Sequence, residues 1–361
     1  MLPLMYAHVK IRTVSGLDKF TSCLYAADQK WDSIRRIPYS TPGRWVQIFD
    51  LSEMSCTLDS HQVYAIDLLL TKLFPLVPFL TRLCLSPSMP LSRRALASLT
   101  NRDGNTNLQA LGGICYDASF NSTTATADDP FVQFLHECSN LERLEIVGSG
   151  MEIDSNVLSG DRLNIPASTV RLNLPRLHSI TILSMPSSSL LFALFDASLP
   201  RLRALSITPY DDIPFPTSCT SHFLETHGRS LYTLSFFAPK CWPTQLHPSP
   251  PSLLHTCPNL RHLSLEYPLP DLALPDLTST SLPLQILSIP RPDSRFWRGL
   301  ERILPHLPSL KAVRLRDVRW IGRGMSVRAH ESGVQGEMRD WRRRLGRRGI
   351  RVLDGDWQDM P

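Results

Sequence analysis

The sequence has no apolar run long enough to cross a membrane. Its most apolar stretch, residues 64–80, is interrupted by two charged residues and two prolines, whereas a membrane-spanning helix needs about 20 mostly apolar residues. The apolar start of the chain, residues 1–7, is too short and too poorly flanked to be a secretory signal. These absences predict an intracellular protein, cytoplasmic or nuclear, that has no membrane contact.

Patterns that carry catalysis or bind metals are also missing. The eight cysteines include no C-x-x-C pair and no grouping with histidine at the spacing of zinc ligands. Residues 148–150 (Gly-Ser-Gly) lack both the lysine of a phosphate-binding loop and the surroundings of a hydrolase serine. The alternating polar residues 101–107 are followed by Gly112 where a calcium loop needs an acid, and Thr106 stands where it needs glycine. We therefore expect free, mostly buried thiols, no metal or cofactor, and no enzymatic activity.

Glycine and proline are not arranged as in fibrous or low-complexity chains. The 17 glycines have no fixed period, which excludes a collagen-like structure, and many of the 30 prolines lie beside leucine-rich phrases, where they end helices and strands. Hydrophobic residues make up 42% and charged residues 20% of the chain, as is typical of a globular protein with a substantial core. We expect one main domain, because a repeat array can reach 361 residues as a continuous body.

A six-residue phrase recurs about nine times: leucine, two residues, an aliphatic, one residue and a second aliphatic. Neighbouring copies begin 24 to 36 residues apart, which fits one short strand plus one helix or loop. The copies begin at Leu80, Leu108 (the degenerate LQALGG), Leu141, Leu177, Leu202, Leu231, Leu260, Leu284 and Leu310. Repeats of this kind fold by burying their faces against each other. The pattern predicts an α/β fold, an irregular leucine-rich-repeat solenoid (horseshoe) with parallel strands on the concave face and helices or loops on the convex face.

Helical stretches and prolines precede many of the phrases. Apolar residues at helical spacing occupy 63–73, 131–136, 190–195, 223–226 and 296–304. A proline in entries such as LPRL at 199–202 and CPNL at 257–260 ends the preceding helix and turns the chain toward a strand. Earlier in the chain, residues 8–11 and 45–51 alternate as half-buried strands do, with a helix expected near residues 17–27.

The phrase also predicts which side chains point outward. Its last two aliphatics lie two residues apart and share one face of the strand, so the residues between and beside them point to the other face. We expect these small and polar residues to be exposed on the concave sheet and to bind a partner protein. For any single position, ordinary solvation of a sheet is the simpler interpretation. The candidate partner-binding residues are Arg82, Arg143, Glu145, Thr181, Ser206, Thr233, Ser235, His262, Ser264 and Arg314.

The repeat array is expected to occupy residues 61–336. Residues 1–60 would hold an F-box remnant, explained below, and the first irregular repeats, while residues 337–361 would form a basic capping helix and a final strand at 350–352. Two insertions, residues 101–129 and 147–168, interrupt the array, and loops of this length are either disordered or functional.

Positive charge is concentrated near the C-terminus. Residues 311–351 hold 13 Lys/Arg and 4 Asp/Glu, although the net charge of the whole chain is only +5. Such a cluster can bind nucleic acid, act as a nuclear address or contact an acidic partner. Met338, Trp341 and Leu345 at helical spacing instead favour an amphipathic cap that leaves the arginines in water. We favour the cap; the basic patch consists of Arg342, Arg343, Arg344, Arg347 and Arg348.

With the repeats placed, the chain resembles the leucine-rich-repeat region of fungal F-box proteins of the basidiomycete type. The resemblance rests on irregular phrases with helical entry segments (CSNLERLEI, CPNLRHLSL, LPSLKAVRL), on the opening LPLMYAHVKI, which is similar to the segment after an F-box, and on the Trp-rich end WRRRLGRRGIRVLDGDW. It covers nearly the whole chain. The asparagine or cysteine position of better-spelled repeats is replaced here, for example by Ser149, Tyr210, Pro239 and Pro268.

The resemblance implies substrate recognition in a ubiquitin ligase. In such proteins the F-box helices bind the adaptor of a cullin-RING ligase, while the repeats hold the substrate. Only Leu2, Pro3, Leu4 and Tyr6 match the tail of an F-box, which implies that most of the F-box is missing. We therefore expect a non-catalytic protein–protein interaction scaffold with an unknown substrate protein, and adaptor binding only if an F-box exists upstream. The alternative is a nucleic-acid-associated or nuclear protein that acts through the basic C-terminal segment.

Overall fold

The computed structural model describes residues 2–30, 41–54, 60–116, 129–148, 171–185, 188–208, 219–237, 253–270, 281–318 and 334–359. In these ranges short parallel strands alternate with short helices or loops, so the expected α/β class is confirmed. The chain divides into two compact units, Met1–Leu202 and Arg203–Pro361, which we call the first and the second unit. The boundaries expected near residues 60 and 336 stay a prediction.

Each unit contains six parallel strands that pair in the order of the chain, and neither set closes into a barrel within the described residues. Parallel neighbours require a crossover between them, which the intervening helices and loops provide. The first unit has β1 (His8–Lys10), β2 (Ile48–Asp50), β3 (Arg82–Cys84), β4 (Ala110–Tyr116), β5 (Arg143–Gly148) and β6 (Ser179–Leu183). The second unit has β7 (Ala204–Ile207), β8 (Thr233–Phe236), β9 (His262–Ser264), β10 (Ile286–Ile289), β11 (Ala312–Leu315) and β12 (Arg351–Leu353).

Ten α-helices lie between or beside the strands of the described chain. Five of them begin after an N-cap residue whose side chain accepts a hydrogen bond from a backbone N–H. This bond satisfies a donor that has no partner within the first helical turn. The capping residues are Thr13, Ser92, Asp129, Ser188 and Asp293. The helices are α1 (Leu2–Ala7), α2 (Val14–Gln29), α3 (Ser60–Leu73), α4 (Arg93–Thr100), α5 (Pro130–Glu137), α6 (Ser189–Phe195), α7 (Cys219–His227), α8 (Leu253–Thr256), α9 (Ser294–Ile303) and α10 (Val334–Gly346).

The core of each unit is built from the aliphatic residues of the recurring phrase. In the second unit Leu234, Leu263 and Leu287 pair in register on neighbouring strands, and none is more than 1% exposed. The first leucine of each phrase is also buried, and in eight of the nine phrases its N–H donates to the carbonyl oxygen three residues earlier and closes the turn that enters the strand. The N–H of Leu260, for example, donates to the carbonyl oxygen of Cys257 at 3.4 Å. The phrase therefore encodes a turn followed by a strand with one buried face.

Most elements expected from the sequence are present, with ends shifted by a few residues. The five expected helices form as α3, α5, α6, α7 and α9, the helix near residues 17–27 as α2, and the final strand as β12. The pattern does not predict α4 or α8. Of the two insertions, residues 117–128 and 149–168 lie outside the described residues, and residues 110–116 of the first insertion form β4.

Gly113 explains why the phrase at Leu108 is degenerate. Its backbone has φ of 63°, in the left-handed region that glycine tolerates, and a Cβ there would lie 2.1 Å from the carbonyl oxygen of Leu85. The register between β4 and β5 shifts between Leu111 and Ile114, on either side of this glycine. The second aliphatic of the phrase is thus replaced by a backbone irregularity that only glycine fits.

No helix among the described residues is long and apolar enough to cross a membrane.

Candidate functional site

The predicted partner-binding residues of the first unit lie in two adjacent rows on one face of its strands. Register places Arg82 and Arg143 on either side of Ala110 in one row, and it pairs Glu145 with Thr181 in the next. Arg82, Arg143 and Glu145 are exposed, and Thr181 is half-buried. The structure therefore brings these four predicted residues together on a face of mixed charge, which we call the polar face.

The corresponding strand face of the second unit, which we also call the polar face, carries a ladder of serines. Four serines pair in register across β7 to β10, and an arginine continues the row on β11. Thr233 and His262 are paired neighbours in the adjacent row. Adjacent strands lie about 4.8 Å apart, so polar groups recur at that spacing along the ladder. The ladder consists of Ser206, Ser235, Ser264, Ser288 and Arg314.

The expectation that Ser264 is exposed is wrong. Its exposed fraction is 6%, and that of its paired neighbour Ser288 is 1%. Larger side chains reach across the face at this point: His262 Nε2 lies 3.1 Å from Ser288 Oγ, and the guanidinium of Arg316 donates to the carbonyl oxygen of Leu265. Among the four serines of the ladder, only the half-buried Ser206 and Ser235 therefore keep partial exposure.

The C-terminal segment, residues 354–359, also covers part of this face. Asp354 Oδ1 accepts two backbone N–H groups, at 2.8 and 2.9 Å, and so closes a turn. The turn places the ring of Trp357 against Arg314, whose guanidinium carbon lies 4.4 Å from the ring centre. The ring centres of Trp357 and His262 lie 6.1 Å apart. Arg314 also donates to the carbonyl oxygen of Gly355. Two predicted binding residues are thus occupied by the chain's own C-terminal segment.

The environment of two titratable groups on the polar face favours the neutral form of each. Burial, and then the positive charge of Arg314, lower the pKa of His262. Burial, and then the negative charge of Asp50, raise the pKa of the Cys84 thiol, which makes the reactive thiolate less abundant.

Among the described residues no group of three or more His, Cys, Asp or Glu could hold a metal ion.

None of the five cysteines whose side chains the structure describes forms a disulfide bond, and their burial is mixed. Cys138 and Cys257 are buried, and desolvation raises the pKa of each thiol to about 12. Cys84 and Cys115 are half-buried, and Cys23 is exposed. The expectation of mostly buried thiols is therefore wrong for three of these five.

The basic patch lies on α10 and in the turn that follows it. Arg344 forms an ion pair with Glu301 at 3.1 Å and lies over the ring of Trp341 at 5.1 Å. Trp341 stacks on the buried Trp297 with ring centres 3.8 Å apart, so this helix packs on α9 through an aromatic pair. Leu345 is buried as well, whereas the side chain of Met338 lies outside the described residues.

A cleft of about 780 Å³ lies where several strands of the first unit begin. Trp45 and the amides Gln47 and Gln109 line it, together with the cations Arg44 and Arg176. No pattern in the sequence predicts this cleft, because its residues come from separate turns that meet only when the strands pair.

Two exposed aromatic residues were also not predicted from the sequence. Trp357 is 44% exposed and Tyr232 is 37% exposed. Tyr232 precedes β8, at the phrase position that Arg203 and Arg261 hold in the neighbouring repeats. The replacement of arginine by tyrosine at this position of the phrase is the signal in the sequence that could have identified Tyr232.

No protein-family model matches the chain, and no curated protein matches it significantly.

Proposed function

We propose that this chain is a non-catalytic protein–protein interaction scaffold of the leucine-rich-repeat type, with the polar face as its concave recognition surface. The observation that carries the proposal is the in-register placement of polar side chains on one face, while the other face of the same strands is buried. Arg82, Arg143 and Glu145 present exposed charge of both signs in the first unit. Such a mixed face complements a partner surface of opposite pattern and selects it by charge.

The distribution of polar groups supports recognition rather than catalysis. Along the ladder the serines recur at about 4.8 Å, one on each strand, and do not converge on a single point. Catalysis needs a nucleophile, a base and an orienting group within hydrogen-bond reach of each other. The accessible serines of this row, Ser206 and Ser235, instead offer separate weak contacts to a partner surface.

We further propose that the chain is the substrate-recognition part of an F-box-type ubiquitin-ligase receptor in the cytoplasm or nucleus. The support is the resemblance of its phrases to fungal F-box proteins, together with the finding that each of the nine phrases supplies one strand. In this role the polar face would hold the substrate protein, and an F-box would connect it to the ligase.

Cross-linking of captured partners tests the scaffold proposal. Fungal proteins bound to the purified chain are cross-linked and mapped by mass spectrometry, for the wild type and for Arg82→Glu with Arg143→Glu. We expect cross-links near β3 and β5 in the wild type, and partner recovery reduced at least about fivefold in the variant, since reversed charges repel a complementary surface.

The matched control is Arg93→Glu with Arg94→Glu, which reverses two exposed arginines at the start of α4. It should retain the partners. If the control loses the same partners, or if cross-links fall on the helices instead of the strands, the polar face is not the recognition surface.

A further inference from the structure

The residues that immediately precede the strands of the second unit form a continuous edge. The carbonyl oxygens of Arg203, Tyr232, Arg261 and Gln285 each accept two N–H groups from the start of the next strand, at 2.8 to 3.2 Å. These bonds fix the four residues in sequence along one end of the strands. The N–H of Lys311 donates to the carbonyl oxygen of Gln285, so Lys311 continues the edge.

All charged residues of this edge are basic. The entry segments of the second unit, residues 203, 229–232, 258–261, 282–285, 308–311 and 347–350, contain no Asp or Glu. With the first residue of β12 they supply seven cations, all exposed. We call this set the basic edge: Arg203, Arg229, Arg261, Lys311, Arg347, Arg348 and Arg351.

The cations of the basic edge have no acidic partners within the described chain. Elsewhere in the same unit arginines do form ion pairs, as Arg316 does with Glu266 at 3.0 Å and Arg344 with Glu301 at 3.1 Å. The described contacts of the edge are of a different kind: Arg203 donates to the carbonyl oxygen of Ser230 at 3.0 Å. The edge therefore keeps an uncompensated positive charge that can attract an anionic partner.

Helix dipoles account for at most three of these cations, since Arg229, Arg347 and Arg348 lie within two residues of the end of a helix. A positive side chain is favourable near a helix C-terminus, but the effect falls off within the last turn. Lys311 lies eight residues after the end of α9 at Ile303, and Arg203 lies eight residues after the end of α6 at Phe195. Their clustering thus needs another explanation.

Tyr232 limits the kind of anion that fits. The guanidinium carbons of Arg203 and Arg261 lie 4.9 and 5.0 Å from the centre of its ring, and they come from the strands on its two sides. The ring is therefore engaged by cations and is poorly placed to stack on a nucleic-acid base. Single-stranded nucleic acid gains much of its affinity from such stacking. Tyr232 is the only aromatic residue in the entry segments of the second unit.

We infer that the basic edge binds an acidic, extended peptide segment of the protein partner. The inference rests on the scaffold function proposed above and adds the chemical class of one partner element. The guanidinium groups match carboxylates, which they bind through two parallel hydrogen bonds. From β7 to β12 the edge spans about 24 Å, which about seven extended peptide residues would cover. Tyr232 orients Arg203 and Arg261 by holding both against its ring.

Fluorescence anisotropy of the full chain with a labelled poly-glutamate peptide of about ten residues tests this inference. The edge variant carries Arg203→Gln, Arg261→Gln and Lys311→Gln. The control carries Arg93→Gln, Arg94→Gln and Arg298→Gln, which remove three exposed cations from helices. Circular dichroism melting establishes that both variants remain folded. We expect the edge variant to bind at least about tenfold more weakly and the control within about twofold of the wild type.

Three outcomes overturn the inference. Equal losses in both variants indicate general charge attraction. No binding by the wild type at low salt indicates that the edge has no affinity for acidic peptides. Tighter binding of a single-stranded oligonucleotide of equal charge, with the steep salt dependence of counterion release, indicates a nucleic-acid site. None of these results affects the cross-linking test, which uses residues of the polar face and can succeed or fail independently.

Discussion

At the residue scale, the environment of a side chain on the sheet depends on neighbours far away in the sequence. Ser206 and Ser264 occupy the same phrase position and the same ladder, yet only Ser206 keeps appreciable exposure. The difference comes from the crowded end of the ladder, where Arg316 reaches back to Leu265 and residues 354–359 fold against Arg314. A period-two pattern identifies the face of a strand but carries no information about these later contacts.

His262 should make stability sensitive to mildly acidic pH. Its pKa is lowered in the folded protein, so the unfolded chain binds a proton more readily. Stability is thus unaffected above the ordinary pKa of 6.5 and falls as the pH decreases from there through the folded value. Urea unfolding at pH 7 and pH 5 measures the loss, which His262→Gln should reduce. Equal pH dependence of the wild type and the variant would contradict this assignment.

At the element scale, the turn and the strand of each repeat are encoded locally, which is why the sequence predicts them. The leucine that closes the turn and the two aliphatics of the strand lie within six residues, so one phrase specifies both. The short helix α8 escapes prediction because four residues (Leu253–Thr256) are too few for a helical period to be visible. The polar face is predictable for the same local reason, whereas the basic edge appears only when repeats are compared.

Leu263→Ala tests whether the β9 strand is held by the buried ladder. The side chain is fully buried and pairs in register with Leu234 and Leu287, so its removal should leave a cavity. We expect a loss of roughly 2–5 kcal/mol in the free energy of unfolding, measured by denaturant titration. The exposed Arg298→Ala on α9 should change it by less than about 0.5 kcal/mol. A loss for Leu263→Ala as small as that of Arg298→Ala would contradict the buried position.

At the scale of the whole molecule, parallel pairing in chain order means that the last strand of the array has a neighbour on one side only. In the second unit α10 and β12 occupy this position, and α10 packs through Trp341 on Trp297. The amphipathic spacing of the sequence predicts this helix, and Trp341 and Leu345 of the expected apolar stripe are both buried. It does not reveal the ion pair of Arg344 with Glu301, which joins segments 43 residues apart.

Removing the terminal element should therefore destabilise the protein through lost apolar burial. Deletion from residue 337 onward takes away β12 and the ring that covers Trp297, so β11 and α9 gain exposed apolar surface. We expect a lower melting temperature or aggregation that added salt does not reverse, because the cause is apolar exposure and not charge. Differential scanning calorimetry at low and high salt measures the effect.

The matched variant keeps the helix and reverses its charge: Arg342→Glu, Arg343→Glu and Arg347→Glu. These side chains are exposed, and the ion pair of Arg343 with Asp340 is long at 4.0 Å, so folding should be nearly unchanged. The opposite result, a well-folded deletion together with a charge reversal that abolishes nuclear accumulation, would replace the capping role of α10 with a basic targeting or nucleic-acid-binding segment. The two variants separate these roles because the deletion removes the apolar contacts, whereas the charge reversal leaves them in place.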